Sequence, residues 1–329
     1  MLLVKPSALG DVVHALPVAT LLKKRWPACR LDWLVSRPFA PLLEAHPAVD
    51  HVVPFDRRRG DSTAAQFGEV RRLASTLRDE EYDVAIDLQG LFRSGWLARR
   101  SGAAVRVGLA SAREMAPLFY THRVDDTARG PRHAIDRYLD VAEAFGCGRG
   151  PIDFALTTTD DDEVAVDQML QGIGGRFAVL LPGTNWPTKR WPSDHFASLA
   201  ERLRRELKLS IVIAGSEDAR AASEAIESDL SLVGRTSVRE LIALLRRASL
   251  VVSNDSGPMH LAAALGRPLV APFGPTDPVR TGPFHAAAGV VRLDLACSPC
   301  FSRSCVHQTC LRDLSPDVVL DACRGVLAS

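Results

Sequence analysis

Long apolar runs are missing from this 329-residue chain: none approaches the roughly 20 residues that a helix needs to cross a bilayer. Leu2 to Val4 runs straight into Lys5 and Pro6, which is no signal peptide, so a soluble cytoplasmic protein is expected. A surplus of either charge sign is missing too. A formal net charge of +1 gives no reason to expect bulk electrostatic binding to nucleic acid. No G-x-G-x-x-G follows a predicted strand and no G-x-x-x-x-G-K-[ST] occurs, which argues against a nicotinamide site or a P-loop. Gly172, Gly174 and Gly175, in QGIGGRF, precede a strand instead. Nor is there a repeat of short period. The seven cysteines, four of them between Cys297 and Cys310, do not make the pattern of a secreted disulfide framework in a chain of this size.

What is present is globular: 47% hydrophobic and 24% charged residues, with enough length for two ordinary domains. The first half predicts strands at Leu2 to Val4, Leu31 to Val35, Val52 to Phe55, Tyr82 to Leu88 and Val105 to Leu109. Helices are predicted between them, at Val12 to Trp26, about Pro41 to His46, Phe67 to Leu77 and Ala134 to Phe145. Such alternation argues for an α/β fold with a parallel sheet covered on both faces. The Gly-, Pro-, Thr- and Asp-rich stretch from Cys147 to Asp162 is the best domain boundary. A second alternating series follows, with predicted strands at Phe177 to Leu181 and Ser210 to Ala214. Helices are expected near Glu163 to Gln171 and at Ser193 to Leu207, Ala219 to Ser228 and Val238 to Arg247. Two facing Rossmann-like α/β domains would place a cleft between their strand ends.

The chemistry concentrates in LVVSNDSGPMHLAAALGRPLVAPFGPTDPVRTGPF, from Leu250 to Phe284. It reads as a strand, a tight turn with Asp255, Ser256 and Gly257, a helix and another strand. The unpaired N–H groups at such a helix start suit a phosphate, and Gly257 lets it approach the backbone. The alternative is that Asp255 or Ser256 merely caps the helix. Other polar residues at predicted strand ends are Thr184, Asn185, Lys189, Glu217 and His260. A lysine point charge with helix-start amides would stabilise a diphosphate leaving group without a metal. Glu217 would suit ribose hydroxyls or cap a surface helix, and His260 would face the ligand or be a satisfied core histidine. In the first half, Asp11 follows the first strand at a helix mouth, where the helix dipole favours a carboxylate and where a capping aspartate is also common. Arg57 to Arg59 would form an anion-binding loop or a solvated one. Asp160 to Asp162, just before a helix, read as dipole partners and not as a metal-binding pair.

Five segments together resemble glycosyltransferase family 9, and more narrowly the ADP-heptose:lipopolysaccharide heptosyltransferases. They are KPSALGDVVHALP (Lys5 to Pro17), DLQGLFRSG (Asp87 to Gly95), SAREMAPLFY (Ser111 to Tyr120), LPGTNWPTKRWP (Leu181 to Pro192) and the stretch from Asn254 to Pro283. The resemblance spans nearly the whole chain, and the order of the motifs is more specific than any one of them. It implies a GT-B fold with an acceptor-binding domain at 1–155 and a nucleotide-sugar-binding domain at 156–329. The last helix, about 316–327, would return toward the first domain. It further implies an inverting, metal-independent transferase that moves a heptose from ADP-heptose to an inner-core lipopolysaccharide acceptor, Kdo-lipid A or heptosyl-Kdo-lipid A. Such an enzyme would touch the cytoplasmic face of the inner membrane peripherally. By matching positions Asp11 is the general base, and Lys189 with Thr184 and Asn185 holds the departing ADP phosphates. Ser256, Gly257 and His260 line that site, Asp255 orients sugar hydroxyls and Glu217 binds ribose. Arg93, Arg113 and the loop of Arg57, Arg58 and Arg59 meet acceptor anions.

Cys297, Cys300, Cys305 and Cys310 begin with a C-x-x-C and could hold a structural zinc or iron, with no catalytic part; packed reduced thiols are the alternative. Similar segments occur in second-step and in protein-modifying heptosyltransferases, the latter with bound iron. A protein (autotransporter) acceptor, a nucleotide-sugar 2-epimerase of the same architecture and a non-catalytic sugar-nucleotide binder therefore stand beside the leading reading. The motifs do not choose the acceptor or the sugar.

Overall fold

A computed structural model describes residues 1–56, 63–127, 130–284 and 289–328. The Arg57 to Arg59 loop lies outside the described residues. The chain divides into two compact units, Met1–Ala155 and Leu156–Ser329.

The first unit contains β1 (Leu2–Val4), β2 (Asp32–Ser36), β3 (His51–Phe55), β4 (Val84–Asp87), β5 (Val105–Leu109) and β6 (His122–Val124). Its helices are α1 (Leu9–Arg25), α2 (Ala40–Glu44), α3 (Thr63–Asp79), α4 (Phe92–Arg100) and α5 (Ala134–Ala144). The strands form one parallel sheet in the order β3-β2-β1-β4-β5-β6. Leu2, Leu3 and Val4 at its centre are fully buried, as expected of a strand covered on both faces. The strong apolar character of α1 has the same cause: its Val12, Val13, Leu16 and Ala19 are sealed, and the helix packs against α5.

The second unit holds β7 (Phe177–Leu181), β8 (Ser210–Gly215), β9 (Leu230–Val233), β10 (Leu250–Ser253), β11 (Leu269–Pro272) and β12 (Val290–Val291). Its helices are α6 (Asp160–Met169), α7 (Ser193–Leu207), α8 (Arg220–Ser223), α9 (Val238–Arg247), α10 (Gly257–Ala264), α11 (Pro278–Thr281), α12 (Thr309–Arg312) and α13 (Pro316–Ala328). The sheet order is β12-β11-β10-β7-β8-β9. Counted from its own first strand, this repeats the order of the first unit. Both are the doubly wound arrangement, in which chain direction across the sheet reverses beside the first strand and leaves a crevice at the carboxyl ends. The reversal falls between β1 and β4 in one unit and between β7 and β10 in the other. Helix α13 packs on α7, β11 and β12, and its Val319, Leu320 and Cys323 lie in the second unit's core.

Several boundaries differ from the sequence expectation. Helix α1 starts at Leu9, three residues early, so Asp11 sits inside its first turn. Helix α8 covers only Arg220–Ser223 of the expected Ala219 to Ser228. Strands β6 and β12, short and at sheet edges, and β9, LSLV, lack the apolar runs that mark the central strands. Asp160 to Asp162 form the first turn of α6. Thr159 caps it, Asp162 accepts from Thr159 N–H at 2.8 Å and pairs with Arg239 Nε at 2.9 Å, an ordinary capping box.

His46 ties the end of the first unit to its body. The buried ring accepts from Ala48 N–H at Nδ1 (3.2 Å), so Nε2 carries the proton and donates to the Phe154 carbonyl at 3.1 Å. Burial lowers its pKa from the ordinary 6.5, against a smaller opposing pull from Phe154 and Asp153. With the folded value lowered, stability is complete above the unfolded value and falls as pH drops below it. Thermal melts should therefore weaken from about pH 6.5 downward, by at most about 1.4 kcal/mol per pH unit. His46→Gln should flatten that slope; an unchanged slope would show that other groups cause it.

Candidate active site

The crevice of the second unit is built by the loop after β7 and the turn after β10. Fully buried Asn254 stitches them together: its Oδ1 accepts from Trp191 N–H at 3.0 Å and its Nδ2 donates to the Pro182 carbonyl at 2.7 Å. Asp255, also buried, accepts from Thr276 Oγ1 at 2.6 Å and pairs with Lys189 Nζ at 2.7 Å. Thr184 Oγ1 donates to the Asp255 carbonyl at 3.3 Å. The Lys189 ammonium stands 4.7 Å from the Trp186 ring centre, and Arg303 lies 4.4 Å from the same ring. Lys189, Thr184, Asp255 and the α10 start are therefore one cluster.

Ser256 occupies the N-cap position of α10 without a side-chain cap bond. Its Oγ lies 3.3 Å from Ser253 Oγ. With Asp255 engaged elsewhere, the helix-start amides are not spent on a side-chain cap, and Gly257 keeps the first position free of a Cβ. His260 is buried one turn further on, and Asn185 is exposed at the loop tip. Glu217 lies apart, exposed after β8, where it accepts from Arg220 at 2.5 and 2.7 Å. The Arg220 guanidinium holds its carboxyl below the usual range. A Cβ on Gly234, where φ is +70°, would stand 2.3 Å from Glu217 Oε2, so this glycine gives the carboxylate its place.

In the first unit, Asp11 Oδ2 accepts from Ala8 N–H at 3.0 Å and Oδ1 faces Lys5 Nζ at 3.9 Å, while 44% of the side chain stays exposed. Sequence reading gave Lys5 no role. Its buried ammonium donates to the Leu88 carbonyl at 3.0 Å and to Tyr138 Oη at 2.9 Å. Burial works to lower its pKa, but Tyr138 and Asp11 outweigh it and leave the pKa raised. A lysine closing an otherwise apolar strand was the available signal.

Beside it, buried Asp87 accepts from Gln89 and Gly90 N–H, Ser94 Oγ and Tyr120 Oη at 2.7 to 3.0 Å. Burial pushes its carboxyl up against those bonds. Asp87 thus shapes the turn that presents Arg93. Arg93 and Arg113 are both exposed, and Arg113 N–H donates to the Gly90 carbonyl at 2.8 Å.

The four clustered cysteines are free thiols, three of them exposed. Cys305 Sγ accepts from Gln308 N–H at 3.3 Å, and Cys310 packs beside Gly274. Among the described residues no three His, Cys, Asp or Glu side chains stand together as metal ligands, so the expected zinc or iron site finds no preformed ligand set. The segment braces the crevice instead: the Ser302 carbonyl accepts from Thr188 Oγ1 at 2.8 Å.

Residues 70–311 match the model of glycosyltransferase family 9 (heptosyltransferase). The chain belongs to that family. Lipopolysaccharide heptosyltransferase 1 of Pseudomonas aeruginosa is 34% identical over 94% of this chain and 88% of that protein. The solved structure of Escherichia coli ADP-heptose lps heptosyltransferase II superposes with a TM-score of 0.80 at 27% identity, covering 99% and 98% of the two chains. Escherichia coli heptosyltransferase WaaC with ADP-2-deoxy-2-fluoro heptose gives 0.74 at 27% identity over 98% of each. The fold is therefore GT-B and this family 9 protein is a glycosyltransferase.

Lys189 and Asp255 should be coupled energetically. Lys189→Met leaves a buried carboxylate with Thr276 alone and is expected to cost about 3 kcal/mol of stability. Asp255→Asn should cost a similar amount, and the double variant clearly less than the sum. Denaturant titration followed by tryptophan fluorescence measures the cycle. Strictly additive losses would mean that the pair contributes nothing jointly.

Proposed function

We propose that this heptosyltransferase takes its sugar from ADP-heptose and delivers it, with inversion, to an inner-core lipopolysaccharide acceptor, Asp11 serving as general base. The observation that carries the reading is the state of Asp11. One carboxylate oxygen is fixed by Ala8 N–H, the other faces a buried ammonium, and nearly half the side chain remains open to a ligand. The names of the relatives supply the substrates: lipopolysaccharide heptosyltransferases, and a structure that holds an ADP-heptose analogue.

In the reaction, Asp11 takes the proton of the acceptor hydroxyl as that oxygen attacks the anomeric carbon. The bond from that carbon to the diphosphate breaks, and its electron pair leaves with ADP. Lys189 and the amides opening α10 stabilise the charge that develops on the leaving phosphate. The Lys189–Asp255 pair keeps this ammonium in place before the donor arrives. Thr184, Asn185, Ser256 and His260 line the phosphate and sugar positions, Glu217 receives the ribose, and Arg93 and Arg113 meet acceptor anions. The first unit takes the acceptor and the second the donor. No metal takes part in the chemistry, and a structural ion at the cysteines would have to assemble its own ligand set. The enzyme works in the cytoplasm against the inner membrane.

Calorimetric titration with ADP-, UDP- and GDP-sugars, with and without chelator, tests the donor: ADP-selective binding that survives chelation is expected. Asp11→Asn should lower kcat by about 10²- to 10⁴-fold while ADP binds within twofold of wild type. Lys189→Ala should weaken ADP binding. Near-normal turnover in the Asp11 variant would remove it from the role of base.

A further inference from the structure

The first unit carries a second charged feature that the reaction does not use. A cavity of about 340 Å³ is lined by Arg78, Arg99, Arg100 and Arg106. It continues into a groove of about 230 Å³ between α3 and α4 that adds Arg71 and Trp96. Arg78 ends α3, Arg99 and Arg100 end α4, and Arg106 is the second residue of β5. The cavity therefore sits at the amino ends of the strands, opposite Asp11. Arginines near helix ends complement the dipole, and Arg106 joins them from a strand, its guanidinium held by the Ala103 and Phe119 carbonyls at 2.7 and 2.8 Å. Among the described residues no carboxylate pairs with Arg78, Arg99, Arg100 or Arg106, and Arg100 lies 5.5 Å from the Trp96 ring.

The cationic cavity joins an exposed apolar strip. Arg106 Nε donates to the Phe119 carbonyl at 2.8 Å, and the Phe119 ring meets Phe92 edge-on at 5.3 Å. On the same 3-10 turn (Ala116–Phe119) Leu118 is 67% exposed, and Met115, just before it, 65%. Arg123 Nε donates to the Pro117 carbonyl at 3.1 Å, adding a cation to this strip. The strip runs down the flank of α4 from the turn beside Gly90 to the arginine cavity. Exposed large apolar side chains bordered by clustered arginines and a tryptophan combine the two attractions that hold a protein on an anionic bilayer. A soluble polyanion would need the cavity but not the strip.

We propose that the α3–α4 flank of the first unit, with the 116–119 turn, docks on an anionic lipid bilayer: Leu118 and Met115 enter the headgroup layer and the arginine cavity takes lipid phosphates. The strip begins next to Arg93 and Arg113, so docking would leave the proposed acceptor residues at the lipid surface. This deepens the preceding reading and rests on it for the acceptor being lipid-borne.

The test is co-sedimentation of the full chain with phosphatidylcholine vesicles with or without phosphatidylglycerol. Binding only to the anionic vesicles, weakened by salt, is expected. Combined Arg78→Gln, Arg99→Gln and Arg100→Gln should reduce it about a hundredfold, and Leu118→Gln severalfold. Both variants should keep wild-type ADP binding and wild-type transfer to a deacylated, water-soluble acceptor. Failure of the wild type to bind anionic vesicles, or equal binding by the arginine variant, overturns the proposal. So does wild-type binding of inositol hexakisphosphate, lost in the arginine variant, without vesicle binding. Vesicle binding by a wild type that fails to transfer heptose would count against the function alone and support the docking surface.

Discussion

A charge taken out of water must be met by an opposite charge or by several hydrogen bonds, and both sheets carry such charges at their carboxyl edges. Lys5 and Asp87 are buried at the reversal point of the first sheet, and Asp255 is buried at that of the second, beside a partly exposed Lys189. Each is satisfied by groups from other segments of the chain: Lys5 by Leu88 and Tyr138, Asp87 by Ser94 and Tyr120, Asp255 by Lys189 and Thr276. These bonds fix the crevice loops, because moving any one loop would strand a charge in a poorly solvated place. Rigidity at the site is thus a consequence of desolvation.

Against that fixed background, the exposed groups are the ones free to react. Asp11 is anchored through one oxygen and leaves the rest of its carboxylate open, whereas Asp87, a few residues from it in space through Gln89 and Ser7, has all its capacity engaged. A carboxylate that already holds several protein donors has little left to offer a proton or a hydroxyl, so burial and bonding decide which acids stay available to a ligand more firmly than residue type does.

The central strands and long helices were legible because β1, β7 and β10 are continuous apolar runs, the mark of a parallel sheet buried on both faces. The motifs around Asp11, Lys189 and Asp255 were legible for a related reason: each follows such a strand, where a loop must leave the sheet. Asn254, Thr276 and Lys5 were passed over as site residues because their work is done at a distance along the chain. Asn254 meets Trp191 across 63 positions, and Lys5 meets Tyr138 across 133. No local pattern encodes that. The cysteine cluster is a different case: C-x-x-C spacing suggests ligands, but spacing alone does not fix where the thiols point, and among the described residues no three such side chains stand as a preformed ligand set.

Net charge was the least informative quantity of all. A chain with a formal charge of +1 offers nothing to a polyanion when its charges are averaged, and average is all that composition reports. Folding removes the average. Arg78, Arg99, Arg100 and Arg106 come from two helices and a strand and meet in one cavity, while acids elsewhere are drawn into pairs such as Asp126 with Arg137 and Glu206 with Arg202. Screening confines electrostatic reach to about 10 Å in ordinary salt, so a bilayer or a phosphate meets the local cluster and not the whole-chain balance. A nearly neutral protein can therefore present a strongly cationic flank, and the position of that flank relative to the proposed acceptor residues bears on the proposed function in a way its net charge does not.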